Sequence, residues 1–298
     1  MFGPVLVWST APTRAAASFA PLRHGATRYQ VAGPLTGAPV LLVHGLTYPM
    51  EVWTGQFEHL VGRGFRVCRY DLYGRGLSSY DGAVLTPEVL AEQMLQLLDW
   101  VEFEQPVCLV SLSNSDLLLA ELAARHPRRV RQLVWLAPSG WDARTMRRST
   151  RLLLGLVPWA PRLLASQVRR RCALRMEQHR QNLSADASEA VRSAYELSIR
   201  SVKESPAFVP AVLSQVGALP TLKRLTRTLA AVGAQGTAAT VVSFRAEADA
   251  TEAGVEVLRA QLPHCQFIAL EGSHMGLLEH PQSVNAALER ALLSSPLT

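Results

Sequence analysis

The sequence predicts an α/β protein whose mainly parallel central sheet is flanked by helices and interrupted by an inserted helical cap. Three observations carry that expectation. Short apolar runs alternate with amphipathic stretches of ten to sixteen residues, the signature of β–α–β units. The alternation breaks between Gly140 and about Gly233, where the chain is helix-prone, arginine-rich and without strand runs. The charge breaks at the same place. Sixteen Lys and Arg stand against six Asp and Glu between Trp141 and Arg227, leaving fourteen against eighteen elsewhere. A net charge of +6 is thus concentrated in one segment, which marks that segment as a distinct unit.

The elements follow in order. "TRYQV" (Thr27–Val31) and "VLLVHG" (Val40–Gly45) read as strands separated by a Gly/Pro turn. "FEHLVGRG" is a short helix closed by glycine, and "FRVCRYD" (Phe65–Asp71) is the next strand. Thr86–Val101 is an amphipathic helix with Thr86 as N-cap and Pro87 at its first position. Then come the strand Pro106–Leu112, the helix Asp116–Pro127 and the strand Val130–Pro138. After the insertion, Thr237–Ala246, "GVEVLRAQLP" and Cys265–Leu270 read as strand, helix, strand, and Ser283–Leu293 closes as a helix. The organisation expected is an N-terminal arm at 1–22, a first core part at 23–140, a helical cap at 141–233 and a second core part at 234–298.

Composition narrows the function classes. A chain of 298 residues, 48% hydrophobic and 18% charged, can bury one large core with an insertion. No apolar run reaches eighteen residues, so no membrane-spanning helix is expected. Cys68, Cys108, Cys172 and Cys265 form no C-x-x-C pair, which argues against a zinc site or a disulfide framework and for a reducing compartment, the cytoplasm. The N-terminus leaves two readings open. Asp and Glu are absent before Glu51 while Arg14, Arg23 and Arg28 are present, which suits either a flexible arm or an organelle transit peptide. The segment Arg147–Arg171 brackets Leu152, Leu153, Leu154, Leu156 and Trp159 with arginines. It reads as a cap closing its apolar face over a site, with Leu153, Leu156 and Trp159 as substrate-binding candidates. The alternative is a lid that also docks peripherally on a membrane surface. Nucleic-acid binding is not expected, because aromatic residues are not interleaved with the basic ones.

In a parallel sheet, chemistry gathers at the carboxyl ends of the strands. There the sequence places His44-Gly45, Asp71, Ser113, Glu247 with Asp249, and His274. The motifs "LLVHG", "RYDLYGRGLSS", "LVSLSNS", "AEAD" and "EGSHMGLLEHPQSVNAAL" resemble, in order and spacing, those of the α/β-hydrolase superfamily from about Arg23 to Leu293. The nearest likeness is to cap-bearing esterases and monoacylglycerol-lipase-like hydrolases. That resemblance implies an α/β-hydrolase fold and a serine hydrolase, in the chain order Ser113, Asp249, His274. Ser113 would be the nucleophile, His274 its base and Asp249 the residue holding the imidazole. The backbone N–H groups of Leu46 and Asn114 would form the oxyanion hole. The substrate expected is an ester with an apolar acyl group, or a lipid, with no metal or organic cofactor.

Alternatives stay open at several positions. Asp142 could replace Asp249 as the acid. A carbon–carbon or thioester hydrolase could use the same triad. Ser111 and Ser115 stand where the family's elbow has glycines, so a descendant that only binds a ligand under the cap is also admitted. His44 and Asp71 read as structural, as does Glu247. His280 reads as a helix-start residue, and His24, His59, His126, His179 and His264 as solvated or capping.

Overall fold

The apolar runs become strands buried on both faces, as a parallel sheet covered by helices requires. The structure, a computed structural model, describes residues 16–139, 161–181, 183–185 and 187–294, with backbone alone at 161–164, 190, 194, 222 and 247–254. The described residues form eight strands: β1 (Ser18–Leu22), β2 (Gly25–Ala32), β3 (Pro39–Val43), β4 (Arg66–Tyr70), β5 (Val107–Leu112), β6 (Val130–Leu136), β7 (Ala238–Phe244) and β8 (Gln266–Leu270). Their order in the single sheet is β1-β2-β4-β3-β5-β6-β7-β8. β2 runs antiparallel to both β1 and β4, and the remaining pairs are parallel. Each parallel pair is joined by a helical crossover or an excursion through another strand, the arrangement the alternating sequence predicts.

Helices cover both faces. On one side lie α2 (Pro87–Trp100), α3 (Asp116–Arg125) and the helix between β7 and β8. On the other lie α1 (Thr54–Gly62) and the C-terminal helix Pro281–Ser294. α2 begins as its sequence requires, since the Thr86 side chain accepts a hydrogen bond from the Val89 N–H and Pro87 fills the first helical position. Its buried face is Leu90, Met94, Leu97 and Leu98, spaced at three and four residues.

The insertion contributes α4 (Pro161–Gln181), α5 (Glu189–Glu204), α6 (Phe208–Gly217) and α7 (Leu222–Ala234). α4 and α5 pack together, and α5 also meets the turn Met50–Trp53 and α1. α7 behaves differently. Leu225, Leu229 and Val232 join the apolar cluster beneath the sheet, and α7 packs on α3 and on α8 (Ala248–Gln261). The last helix of the expected cap segment is therefore part of the layer flanking the sheet. α9 (Gly276–Glu279) and α10 (Pro281–Ser294) complete the chain.

One further difference lies at the N-terminus. The stretch expected as an arm, 1–22, ends in the strand β1, which zips onto β2 from Ser18↔Tyr29 to Leu22↔Gly25. Only Ala20 of β1 is buried, so its residues carry little apolar signal. Its place is set by backbone pairing to β2.

The register levels the strand ends. Val43 pairs with Ser111, Leu112 with Leu136, and Leu136 with Val242. The residues that follow these strands, at 44–46, 113–116 and 137–139, therefore emerge side by side on one edge.

Candidate active site

Ser113 follows β5 directly and sits at φ +60°, in the left-handed region that a non-glycine residue enters only under constraint. The short 3₁₀ turn Ser113–Ser115 leads at once into α3. This strand–turn–helix elbow projects Ser113 above the sheet, where its Oγ lies 2.9 Å from His274 Nε2. His274 comes from the loop after β8. That loop is shaped by Glu279, whose carboxylate accepts hydrogen bonds from the Ser273 N–H at 2.7 Å and the Ser273 hydroxyl at 2.6 Å. The structure thus brings together two sequence-predicted residues that are 161 positions apart.

The third residue is placed by backbone alone. Asp249 stands in the first turn of α8, just past the carboxyl end of β7, and its side chain lies outside the described residues. The Ala246 N–H donates to the Gly272 carbonyl at 3.1 Å, so the turn before Asp249 is stitched to the loop that carries His274. Asp142, the alternative acid, and the cap candidates Leu153, Leu156 and Trp159 lie outside the described residues, as does the side chain of Glu247.

The loop His44–Gly45–Leu46 is held from four directions. His44 Nε2 accepts a hydrogen bond from the Leu72 N–H at 2.9 Å, and its Nδ1–H donates to the Gly45 carbonyl at 2.7 Å. Because the peptide is trans, fixing that carbonyl turns the Leu46 N–H the opposite way. The fully buried Arg75 donates to the Leu46 carbonyl at 3.1 Å and to Tyr73 O and Gln215 Oε1. Ser115 Oγ donates to the His44 carbonyl at 2.5 Å. Gly45 is required by proximity, since a Cβ there would press on Leu112 O and Ser113 Cβ, both at 3.3 Å. Leu46 and Asn114 are both half-buried beside the elbow.

The two serines in place of the family's glycines have different fates. Ser111 is fully buried and its Oγ has no hydrogen-bond partner among the described residues. Ser115 is fully buried too, but its hydroxyl clamps the elbow to the His44 loop. Ser115→Ala is therefore expected to destabilise the protein by about 1–3 kcal/mol, the cost of a buried carbonyl left unpaired. Ser111→Ala removes an unpaired buried hydroxyl and is expected to be neutral or stabilising. Urea midpoints of the two variants check the pair, and a larger loss for Ser111→Ala than for Ser115→Ala would refute the assignment.

His44 is structural, as its motif position suggested. Burial, with the Arg75 charge adding, pushes its pKa down to about 3 from an ordinary 6.5, against the hydrogen bond to Gly45, which opposes the shift. The unfolded imidazole takes up a proton as pH falls through 6.5, and the folded one does not. The stability this group contributes is full above pH 6.5 and is lost as pH falls toward 3, at up to about 1.4 kcal/mol per pH unit. Urea midpoints are expected to fall between pH 7 and pH 4. A His44→Gln protein should show a shallower fall.

Three residues near the site escaped the sequence reading. Ser139, in the turn after β6, places its Oγ 2.9 Å from Ser113 Oγ. Arg75 lies in the motif "RYDLYGRGLSS", which by itself gives it no separate role. His179, grouped with solvated or capping histidines, is instead half-buried on α4 and bonded to Tyr48. A lone histidine in an arginine-rich helix gives no local signal, and only the packing of α4 on the core reveals it. His24 and His59 are likewise paired, with Asp81 and Glu289.

Comparison with known proteins gives the family and the fold. A family model described as serine aminopeptidase, S33 matches residues 36–225, which includes Ser113 and stops short of Asp249 and His274. The chain is similar to a protein of Variovorax paradoxus (strain S110) bearing the name carbamate hydrolase RutD, 34% identical over 123 residues, 39% of this chain and 45% of that one. It is also similar to a protein of Mycobacterium phage D29 bearing the name non-heme haloperoxidase, 31% identical over 101 residues, 34% of this chain and 36% of that one. The matches thus span less than half the length of these curated relatives. A thermophilic esterase from Thermogutta terrifontis superposes with a TM-score of 0.71 at 22% identity, covering 94% of this chain and 99% of that one. At that identity the likeness establishes the fold.

Proposed function

We propose that this chain, which belongs to the serine aminopeptidase S33 family of the α/β-hydrolase superfamily, is a serine hydrolase of the carboxylesterase or lipase type. The observation that carries this reading is the strained elbow that sets Ser113 Oγ 2.9 Å from His274 Nε2. His274 takes the hydroxyl proton as Ser113 attacks an ester carbonyl, and returns it to the departing alcohol. The acyl group stays on Ser113 until water, activated by the same imidazole, releases the acid. Asp249 holds the imidazole in the required tautomer and stabilises it when charged. Its place is supported by the stitch between Ala246 and Gly272.

The negative charge that develops on the carbonyl oxygen is received by the N–H groups of Leu46 and Asn114. Support for Leu46 comes from the His44–Gly45 bond, which turns its N–H away from the Gly45 carbonyl. The buried Arg75 cation behind that loop adds positive potential on the side where charge appears. The substrate in this reading is a small ester with an apolar acyl group, seated beneath the cap helices.

The reading of Ser113 as a relic is disfavoured by Ser115. Its bulk is used to bond the His44 carbonyl and leaves Ser113 at its strained φ. A fluorophosphonate probe tests the proposal. Stoichiometric labelling of Ser113, located by peptide mass spectrometry, is expected, together with turnover of short acyl esters. Failure of the folded protein to label at Ser113 would overturn the mechanism.

A further inference from the structure

We propose that Nε2 of His179 accepts a hydrogen bond from a hydroxyl or N–H group on the substrate, which makes this a hydrolase of esters bearing such a donor near the scissile bond. The inference deepens the serine-hydrolase reading and rests on it.

The hydrogen bonds around His179 fix where its protons lie. Tyr48 Oη lies 2.6 Å from His179 Nδ1 and 2.9 Å from Tyr195 Oη, and Tyr195 Oη lies 2.9 Å from the Met176 carbonyl. A carbonyl can only accept, so the Tyr195 proton goes to Met176. Tyr195 then accepts from Tyr48, which has spent its one proton and must accept from His179. All three contacts are filled by one arrangement: His179 Nδ1–H to Tyr48, Tyr48 to Tyr195, Tyr195 to Met176. The tautomer is thereby set, and His179 Nε2 carries a bare lone pair.

The imidazole also stays neutral. Burial, then the charge of Arg175, pushes its pKa down to about 4 against a smaller opposing pull from Glu279. The Ser184 N–H, five residues past His179, donates to the Leu278 carbonyl at 3.2 Å, which ties this end of α4 to the loop that carries His274. Tyr48 follows the His44–Leu46 loop by two residues, so the ring is tied from α4 to the edge of the oxyanion site. Its stacking on Tyr48, with ring centroids 6.2 Å apart at 10°, fixes its plane. Among the described residues, no side chain or carbonyl bonds Nε2.

A half-buried acceptor held neutral, oriented and without a protein partner among the described residues is positioned to take a hydrogen bond from a ligand in place of water. An apolar residue at 179 would suit a plain acyl ester better. A hydroxyl or N–H on the substrate supplies the missing partner. A carboxylate does not, because both it and Nε2 are acceptors.

The test compares 2-hydroxyethyl butanoate with propyl butanoate, and propyl 3-hydroxybutanoate with propyl butanoate, as ratios of kcat/KM. The wild-type protein is expected to favour a hydroxylated member of these pairs by about tenfold, the value of one good neutral hydrogen bond. In His179→Phe, which keeps the ring on Tyr48, that ratio should collapse toward one. A wild-type ratio near one, or an unchanged ratio in His179→Phe, overturns the proposal. A second readout is independent of turnover. In Ser113→Ala protein, the ¹⁵N resonance of His179 Nε2 should start at the position of a bare imidazole nitrogen. It should move upfield on titration with the preferred hydroxylated ester and stay fixed with propyl butanoate. Turnover of propyl butanoate that survives Ser113→Ala would instead count against the serine-hydrolase reading, so the two failures are distinguishable.

Discussion

Ser113→Ala is expected to lower kcat/KM for short p-nitrophenyl esters by on the order of 10⁵-fold while leaving the fold intact. The hydroxyl is the group that becomes bonded to the acyl carbon, and no neighbour can take its place. Ser139 Oγ lies 2.9 Å from Ser113 Oγ, but it is Ser113 that His274 Nε2 bonds. His274→Ala should cost a comparable factor, and the double variant little more than either alone, because the two residues act as one device. The stability change carries a second signature. Ser113 holds a left-handed φ of +60°, which costs a non-glycine residue of order 1–3 kcal/mol. Ser113→Gly should therefore be inactive and yet unfold no earlier than the parent. Parent-level hydrolysis by Ser113→Ala would sink the mechanism.

Asp71→Ala is expected to be the most destabilising single change at this edge of the sheet, at about 3–5 kcal/mol. Asp71 is fully buried at the end of β4. Its Oδ1 accepts from the Met50 N–H at 2.7 Å, and its Oδ2 from the Leu77 N–H at 3.0 Å and from Arg28 Nη1 at 3.4 Å. Arg28 is shared with Glu51 at 2.6 Å. Burial and then the Glu51 charge push the Asp71 pKa upward, so its charge is costly and its value lies in two acceptor oxygens. Asp71→Asn keeps one acceptor and turns a donor toward the other N–H, so its cost should fall between parent and Ala, at about 1–3 kcal/mol. Gly76, at φ +52°, backs onto the same carboxylate, and any Cβ there would overlap it. Chemical denaturation reads the ordering Asp71→Ala below Asp71→Asn below parent. A loss under about 1 kcal/mol for the alanine would show that the network is dispensable.

Much of this was legible in the sequence for physical reasons. Parallel strands covered on both faces must be continuous apolar runs, so β3, β5 and β6 announced themselves. Ser113 and His274 were legible because the chemistry of a βαβ sheet collects at strand ends, and their motifs lie there in order. What the sequence hid was held by tertiary contacts. β1 has a single buried side chain and is placed by pairing. α7 looks like cap because it is arginine-rich, yet Arg224 turns its charge to Glu88 and Glu121 while Leu225 and Leu229 face the sheet layer. The use of Ser115 depends on a carbonyl 71 residues away, and that of His179 on a tyrosine 131 residues away.

The docking of α6 and α7 bears on how this scaffold would be re-engineered. Gln215 on α6 reaches Arg75, and the Ser214 hydroxyl accepts from the Leu85 N–H and donates to the Ala83 carbonyl. α7 is riveted to α2 and α3 through Glu88 and Glu121. We infer that the replaceable module of the insertion ends near Pro206 rather than at Gly233. A chimera spliced there would import a foreign roof while keeping the struts that brace Arg75 and, through it, the loop at Leu46. One spliced at Gly233 would trade away that bracing together with the roof.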